Sequence, residues 1–488
     1  MIKQSLCCAA LWLIPGVLSA AEFDRQKLQN WHQWRGPEAT GVAPLADPPT
    51  EWSETKNIKW KVPIPGRGSA SPIVWGDRIF VLTAIKTDRA AETPETARIA
   101  PHVQLVSHQQ RASREEHIVL LAQRDDRPRD GEGRGRGGFG RGDRGFGRGR
   151  FGGAQPENFY EFVVLCLDRE TGKTIWQRTA SEVVPHESHH ETGSFASASP
   201  ITDGKYLYAS FGSRGVFCFD LAGNLQWQKD LGDMQIRMGF GEGSSPALWG
   251  DKLVLQWDHE GDAFIVALDA RTGEEKWRTP RDESSTWGTP LIVEGAGRTQ
   301  VVTSGSNRIR SYDLASGELI WECGGLGSNP IATPVAFDGL AIAVSGHRDP
   351  AGIAVPLSAK GDITDSDKIA WQIEESTPYV STPVLYDGTL YFVKSRNAIL
   401  SSVNAKNGEM IIDQKRLPDM ESVYSSPVSA NGRIYFSSRE GTTHVLEHGP
   451  KLEILATNFL DETIDASPAI VGKEMIVRGE NHLYCIAE

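Results

Sequence analysis

Hydrophobic residues in this chain come in short runs broken by polar turns, the pattern of strands rather than of helices. Pro383-Val384-Leu385-Tyr386, the turn Asp387-Gly388 and Leu390-Tyr391-Phe392-Val393 predict one hairpin. Asp203-Gly204, Asp338-Gly339 and Asn431-Gly432 predict others, because glycine accepts the positive φ that such tight turns need. A third strand follows, as at Phe264–Asp269. A turn, Arg271-Thr272-Gly273, then leads into a fourth strand carrying Trp277.

This four-strand pattern repeats. A Ser-Pro or Thr-Pro dipeptide opens each copy, at Ser71, Ser199, Ser245, Thr289, Thr333, Thr382, Ser426 and Ser467. After a long first gap the steps are 46, 44, 44, 49, 44 and 41 residues. A period of roughly 40–50 residues is that of one propeller blade. The third-to-fourth strand element recurs as Leu167-Asp168 through Gly172 to Trp176, as Phe219-Asp220 through Gly223 to Trp227, and as Tyr312-Asp313 through Gly317 to Trp321. Blade 5 ends on Trp371. These rings are expected to fill the wedges between blades, burying ~200 Å² each. Blades 6 and 7 carry Ile411-Ile412 and Ile454-Leu455 there, so two wedges are expected to be less well filled. The last repeat lacks a fourth strand; Ile58–Val62, with Trp60 in register, is expected to supply it and close the ring. The fold class is therefore all-β. It is an eight-bladed propeller of four-stranded antiparallel blades over 57–488, preceded by an arm over 22–56.

The Leu-Asp-x-x-Thr-Gly-x-x-x-Trp units resemble the repeat of quinoprotein, or PQQ-like, β-propellers. Trp31-His32-Gln33-Trp34-Arg35-Gly36-Pro37, with Trp60-Lys61-Val62-Pro63 and Gly66-Arg67-Gly68 after it, is similar to secreted planctomycete-type proteins of that superfamily. The resemblance runs from about residue 31 to the end, apart from one insert. It implies the fold and leaves the activity open, because the superfamily holds both quinone-dependent alcohol dehydrogenases and a propeller lipoprotein of outer-membrane assembly. The dehydrogenases are expected to hold their cofactor under two adjacent cysteines, with acidic calcium ligands and a catalytic aspartate. The chain after residue 21 has no adjacent cysteine pair and no Cys-x-x-Cys-His. No cofactor is expected; pyrroloquinoline quinone with calcium is the alternative.

Residues 1–21 read as a secretory signal peptide: Lys3, an apolar stretch from Leu6 to Leu18, and small residues at Ser19-Ala20-Ala21. This predicts a soluble protein exported to the periplasm or the outside, with no membrane span, and a monomer. Cys166, Cys218, Cys323 and Cys485 are isolated and read as core residues. The formal net charge of −12 argues against general nucleic-acid binding.

Blade 1 is interrupted by an insert over 86–158. Its segment 124–153 is rich in glycine and arginine, with nine arginines against five acids, and reads as disordered. Such a segment is the one place where nucleic acid or an anionic polymer is a candidate partner; a solvated loop is the plainer reading. Ile118–Ala122 reads as an extra strand.

Loops between second and third strands share a face with the loops between blades, at the mouth of the channel. Arg214, Arg308, Arg348, Arg396 and Arg439 fall on these loops and could ring an anionic ligand, or pair internally with acids such as Asp258. Trp287, Tyr379 and Tyr424 lie just before their Thr-Pro or Ser-Pro dipeptides and could stack a planar ligand. Asp258, His259 and Glu260 reach the same face. His186, His189 and His190 have metal-ligand chemistry in a spacing that matches no defined site. The leading reading is an exported non-catalytic module that binds a protein or an anionic polymer. The alternative is a divergent oxidoreductase or hydrolase using rim carboxylates and histidines.

Overall fold

Residues 20–91 and 153–488 are described by the computed structural model. They form eight four-stranded antiparallel blades, arranged as an eight-bladed β-propeller. Blade 1 runs outward through Ile73–Trp75, Arg78–Ala90, Asn158–Asp168 and Thr174–Val183. Blades 2 to 8 open on Ile201–Thr202, Ala247–Trp249, Leu291–Gly295, Val335–Phe337, Val384–Tyr386, Val428–Ala430 and Ala469–Val471. The outer strand of blade 8 is Ile58–Pro63, paired antiparallel with His482–Ile486, so the N-terminal strand closes the ring. The single α-helix among the described residues, Ala20–Lys27, is short, and no described helix is long and apolar enough to cross a membrane. Middle strands are apolar on both faces because each face meets a neighbouring blade: Ile434, Tyr435 and Phe436 are consecutive and all buried.

The tryptophans clasp blade to blade. Trp60, Trp176, Trp227, Trp277 and Trp371 each donate their indole N–H to a backbone carbonyl of the following blade, at Arg169, Leu221, Ala270, Leu314 and Ala405, over 2.9–3.0 Å. The ring then lies against the turn glycine of that blade. At Gly223 a Cβ would sit 2.8 Å from the Trp176 ring, and φ is +84°, so the turn needs glycine for both reasons. Trp321 departs from the pattern: it donates to Gln300 Oε1 of its own blade, and blade 5 sends Gly361–Asp362 back to pair parallel with the outer strand of blade 4. The wedges of blades 6 and 7 are filled, contrary to expectation. Strand register puts Ile412 and Ala456, not Ile454-Leu455, at the tryptophan position. Ile412 is buried beside Leu417 and Met420, and Trp52 of the arm packs near the small Ala456, stacked on Tyr435 at 6.4 Å.

The arm does more than lead into the ring. Trp31 exchanges backbone hydrogen bonds with Val74 of blade 1, and the His32 carbonyl accepts from Thr202 of blade 2. The chain then crosses the channel. Trp34 donates to Thr333 Oγ1 of blade 5, Arg35 donates to the Pro383 carbonyl, and the Thr40 carbonyl accepts from Leu385 in blade 6. Ala43 and Asp47 continue along blades 7 and 8 through Ser429 and Gly472. A strap therefore closes the channel at the end opposite its mouth.

His32 sits in that strap, edge-on to Phe23 and Trp75. Burial, helped by Lys27, lowers its pKa to about 3. Below the unfolded value of about 6.5 the unfolded chain takes up a proton that the native chain refuses, so stability is lost as pH falls. Between pH 7 and 5 this group should cost about 2 kcal/mol. Urea titrations at both pH values should show His32→Phe losing less stability than wild type by that amount; equal losses would refute the assignment.

The two strands flanking the insert run past the expected ends, pairing Ile85 with Glu161 and Lys86 with Tyr160. Residues 86–90 are therefore strand, and the insert leaves from the tip of a long hairpin. Residues 92–152, with Ile118–Ala122 and nearly all of the Arg/Gly tract, lie outside the described residues, as do residues 1–19 of the stretch read as a signal peptide. Contacts divide the chain into 1–90 with 149–488, and 91–148. Cys166, Cys218, Cys323 and Cys485 are free and buried, and burial pushes the Cys166 and Cys485 thiols up to about 12.

Candidate functional site: a closed cationic cup

The hydroxyl before each blade-opening proline has a structural reason. The backbone N–H of Ser71 donates to Ser199 Oγ, that of Ser199 to Ser245 Oγ, and so on through Thr289, Thr333, Thr382 and Ser426. Ser467 then donates to Ser71 Oγ. The donor–acceptor distances are 2.8–3.2 Å, and every bond points the same way round the ring. Only Ser and Thr offer an acceptor on so short a stem, and their O–H remains free to donate. The eight hydroxyl side chains line a cavity of about 910 Å³. Trp34 of the strap lies at its base, so the channel is a cup.

Inter-blade and second-to-third strand loops form the wall above the hydroxyls. Arg237, Arg348, Lys394 and Arg396 line it, as do His190, His347, Phe240, Met238, Trp287, Tyr379 and Tyr424. Trp287 is anchored by its N–H to the Gly241 carbonyl at 2.7 Å, and Tyr379 packs on His347 with centroids 4.8 Å apart. The acids of the cup, Glu242 and Asp465, are already engaged. Glu242 accepts from Ser213 N–H and Oγ and from Arg214; Asp465 accepts from Arg439 at 2.6 and 3.3 Å. Burial raises the Asp465 pKa against the pull of Arg439. None of Arg237, Arg348, Lys394 and Arg396 makes an ion pair among the described residues. They are close enough to matter together: burial, then Arg348, Arg237 and Arg396, holds the His347 pKa below the usual histidine value.

The arginines on these loops thus divide. Arg348 and Arg396 reach the cup. Arg439 stacks over Tyr424 at 4.8 Å and holds Asp465, Arg214 holds Glu242 and His186 Nδ1, and Arg308 turns outward to Asp362 and Thr364. Arg237 is missing from the sequence-level set because it lies in a blade-linking loop rather than between second and third strands. Asp258 is not on the rim. It is fully buried in a two-point ion pair with Arg281, at 2.7 and 3.0 Å. His259 Nδ1 accepts from the Gln235 and Gly261 amides, and Glu260 accepts from Ser285. The three histidines of the 186–190 loop go to different partners: His186 Nε2 to the Met234 carbonyl, His189 to the His190 carbonyl, and His190 to Thr192. No group of three potential metal ligands is brought together among the described residues.

A family profile described as outer membrane protein assembly factor BamB matches residues 161–411, just over half of the chain. The chain belongs to this family of PQQ-type repeat propellers. It is 24% identical over 305 residues to the outer membrane protein assembly factor BamB of Yersinia pestis, covering 58% of this chain and 68% of that one. Among solved structures, quinohemoprotein alcohol dehydrogenase from Comamonas testosteroni is similar over 96% of this chain and 82% of its own, with 10% identity and a TM-score of 0.57. That likeness concerns the fold. BamB from Moraxella catarrhalis matches over 66% of this chain and 91% of its own, with 14% identity and a TM-score of 0.49.

The quinone that the resemblance to quinone-dependent dehydrogenases implies would call for adjacent cysteines and for free carboxylates to hold calcium. The cup does not fit that demand. Its lining contains no cysteine, the four described cysteines being buried in strands, and Glu242 and Asp465 are spent on arginines and Ser213. Its surplus is of cations.

Proposed function

We propose that this chain is an exported, non-catalytic binding or scaffolding module and that the cup is its ligand face. Its family profile and its relative from Yersinia pestis are both described as outer membrane protein assembly factors, which supports a role that a binding surface can serve without chemistry. One observation carries the choice of face: four cations that make no ion pair among the described residues converge in the cup of a chain whose net charge is −12. Uncompensated like charges in a concave wall raise the local concentration of anions and reward one that fills the gap. The alternative, catalysis by rim carboxylates and histidines, has less support: the cup's Glu242 and Asp465 are held by arginines, and its His190 and His347 are engaged with Thr192 and Tyr379.

Anion binding by the purified protein tests the reading. Polyglutamate and dextran sulfate should be screened at low and physiological salt, where exposed charges are screened over ~8 Å. Binding should weaken with salt. The double variant Arg348→Gln, Arg396→Gln should lose it while melting within a few tenths of a kcal/mol of wild type, as exposed positions do. A wild type that retains no anion at low salt refutes the proposal.

A further inference from the structure

We infer that the cup, if it is the ligand face proposed above, takes an acidic peptide segment bearing an apolar side chain, inserted from the mouth. Four features lead there.

The first is the floor. Because the strap crosses beneath the hydroxyl ring, whatever enters must leave by the same mouth. A long polymer cannot thread through. At about 910 Å³ the cup lies at the upper end of the small-ligand range, ~300–1,000 Å³, which suits a chain end or a loop tip and excludes a folded domain.

The second is the mixed wall. Arg237, Arg348, Lys394 and Arg396 offer donors to carboxylates, but they stand among Trp287, Tyr379, Phe240 and Met238. Met238 is 51% exposed although apolar, and it is held at φ +56°, a conformation that non-glycine residues seldom adopt. An exposed, flexible thioether on a strained turn at a binding mouth is suited to an apolar partner. Aromatic and arginine side chains together are the common anchors of protein recognition.

The third is Asn329. It lines the cup, is only 7% exposed, lies at φ +57°, and its side-chain Oδ1 has no hydrogen-bond partner. A buried acceptor left open costs free energy unless water or a ligand supplies a donor. Sulfate and phosphate groups supply none; a peptide N–H does.

The fourth is the set of eight hydroxyls at the base, each accepting from backbone and still able to donate to a carbonyl or carboxylate.

The test uses fluorescence anisotropy on the full chain with a fluorescein-tagged Glu-Glu-Phe-Glu-Glu peptide. Dextran sulfate and a single-stranded DNA oligonucleotide are the competing probes. The peptide should bind. Arg348→Gln with Arg396→Gln should weaken it roughly tenfold or more. Asn329→Gly, which keeps the positive φ and removes the acceptor, should weaken it about fivefold. N-methylation of the peptide backbone should weaken binding to wild type by a similar factor and have no further effect on Asn329→Gly. Peptide binding indifferent to both Asn329→Gly and N-methylation would overturn the inference, leaving charge alone. So would a peptide that does not bind while dextran sulfate or DNA does. If that polymer is lost in the double arginine variant, the proposed ligand face survives and only the peptide assignment falls. If no anionic probe binds, both fall.

Discussion

Trp60→Ala should cost about 3–5 kcal/mol. Trp60 stands on the strand that closes the ring, is 8% exposed, and donates its indole N–H to Arg169 in blade 1 at 2.9 Å. Its ring covers Gly172, where a Cβ would lie 2.8 Å away. Loss of the indole therefore loosens the seam between the last blade and the first, next to a closing strand that joins His482–Ile486 only through strand pairing. Deleting residues 22–62 is the stronger form. It removes the strap, the outer strand of blade 8 and the partner of His482–Ile486, leaving a hydrophobic edge unpaired. Chemical denaturation of the point variant and size-exclusion chromatography of the truncation are the measurements. A truncated chain that elutes and melts like wild type would show that closure contributes little.

The second large effect should come from Asp258. Asp258 and Arg281 are both fully buried. Gln256 and Thr286 also donate to the carboxylate, and Thr303 and Tyr312 of blade 4 take the remaining arm of the guanidinium. Burial alone would lower the Arg281 pKa, but Asp258 and then Tyr312 outweigh it and raise it. Removing either partner leaves a charge buried between blades 3 and 4. Asp258→Ala should cost about 3–5 kcal/mol. Asp258→Leu combined with Arg281→Met should recover most of that, because two well-packed apolar chains often replace a buried pair at little cost. Urea denaturation of the single and double variants separates the cases. A single variant within about 1 kcal/mol of wild type would mean that water reaches the pair.

The repeat made the architecture readable from the sequence. Turn glycines, blade-opening prolines and clasping tryptophans each mark a fixed place in the blade, and the missing strand of blade 8 points to Ile58–Val62 from the repeat alone. What escaped was set by contacts between distant residues. Ala456 makes a poor wedge on its own, and nothing local announces that Trp52, some four hundred residues earlier, will fill the space. The strap was invisible for the same reason: Trp31 to Pro37 stood out as a motif, but its partners lie in blades 1, 2, 5 and 6. In the cup, loop position identified Arg348, Arg396, Trp287, Tyr379 and Tyr424 as mouth residues. It could not tell an arginine with a carboxylate in reach from one without. Arg214, Arg308 and Arg439 found acids through the fold, and Arg237 entered through a loop of a different class.

The hydroxyl ring also bears on how such a molecule can change size. Each blade gives one backbone hydrogen bond and receives one, always in the same direction. A whole blade gained or lost by duplication or deletion would bring or remove one donor and one acceptor together, so the circle could re-form with seven or nine members and no orphaned amide. The strap has no such freedom. Between His32 and Trp34 it steps from blade 2 to blade 5, a span that holds only for a ring of this diameter. The hydroxyls are indifferent to blade number and the N-terminal arm is its gauge.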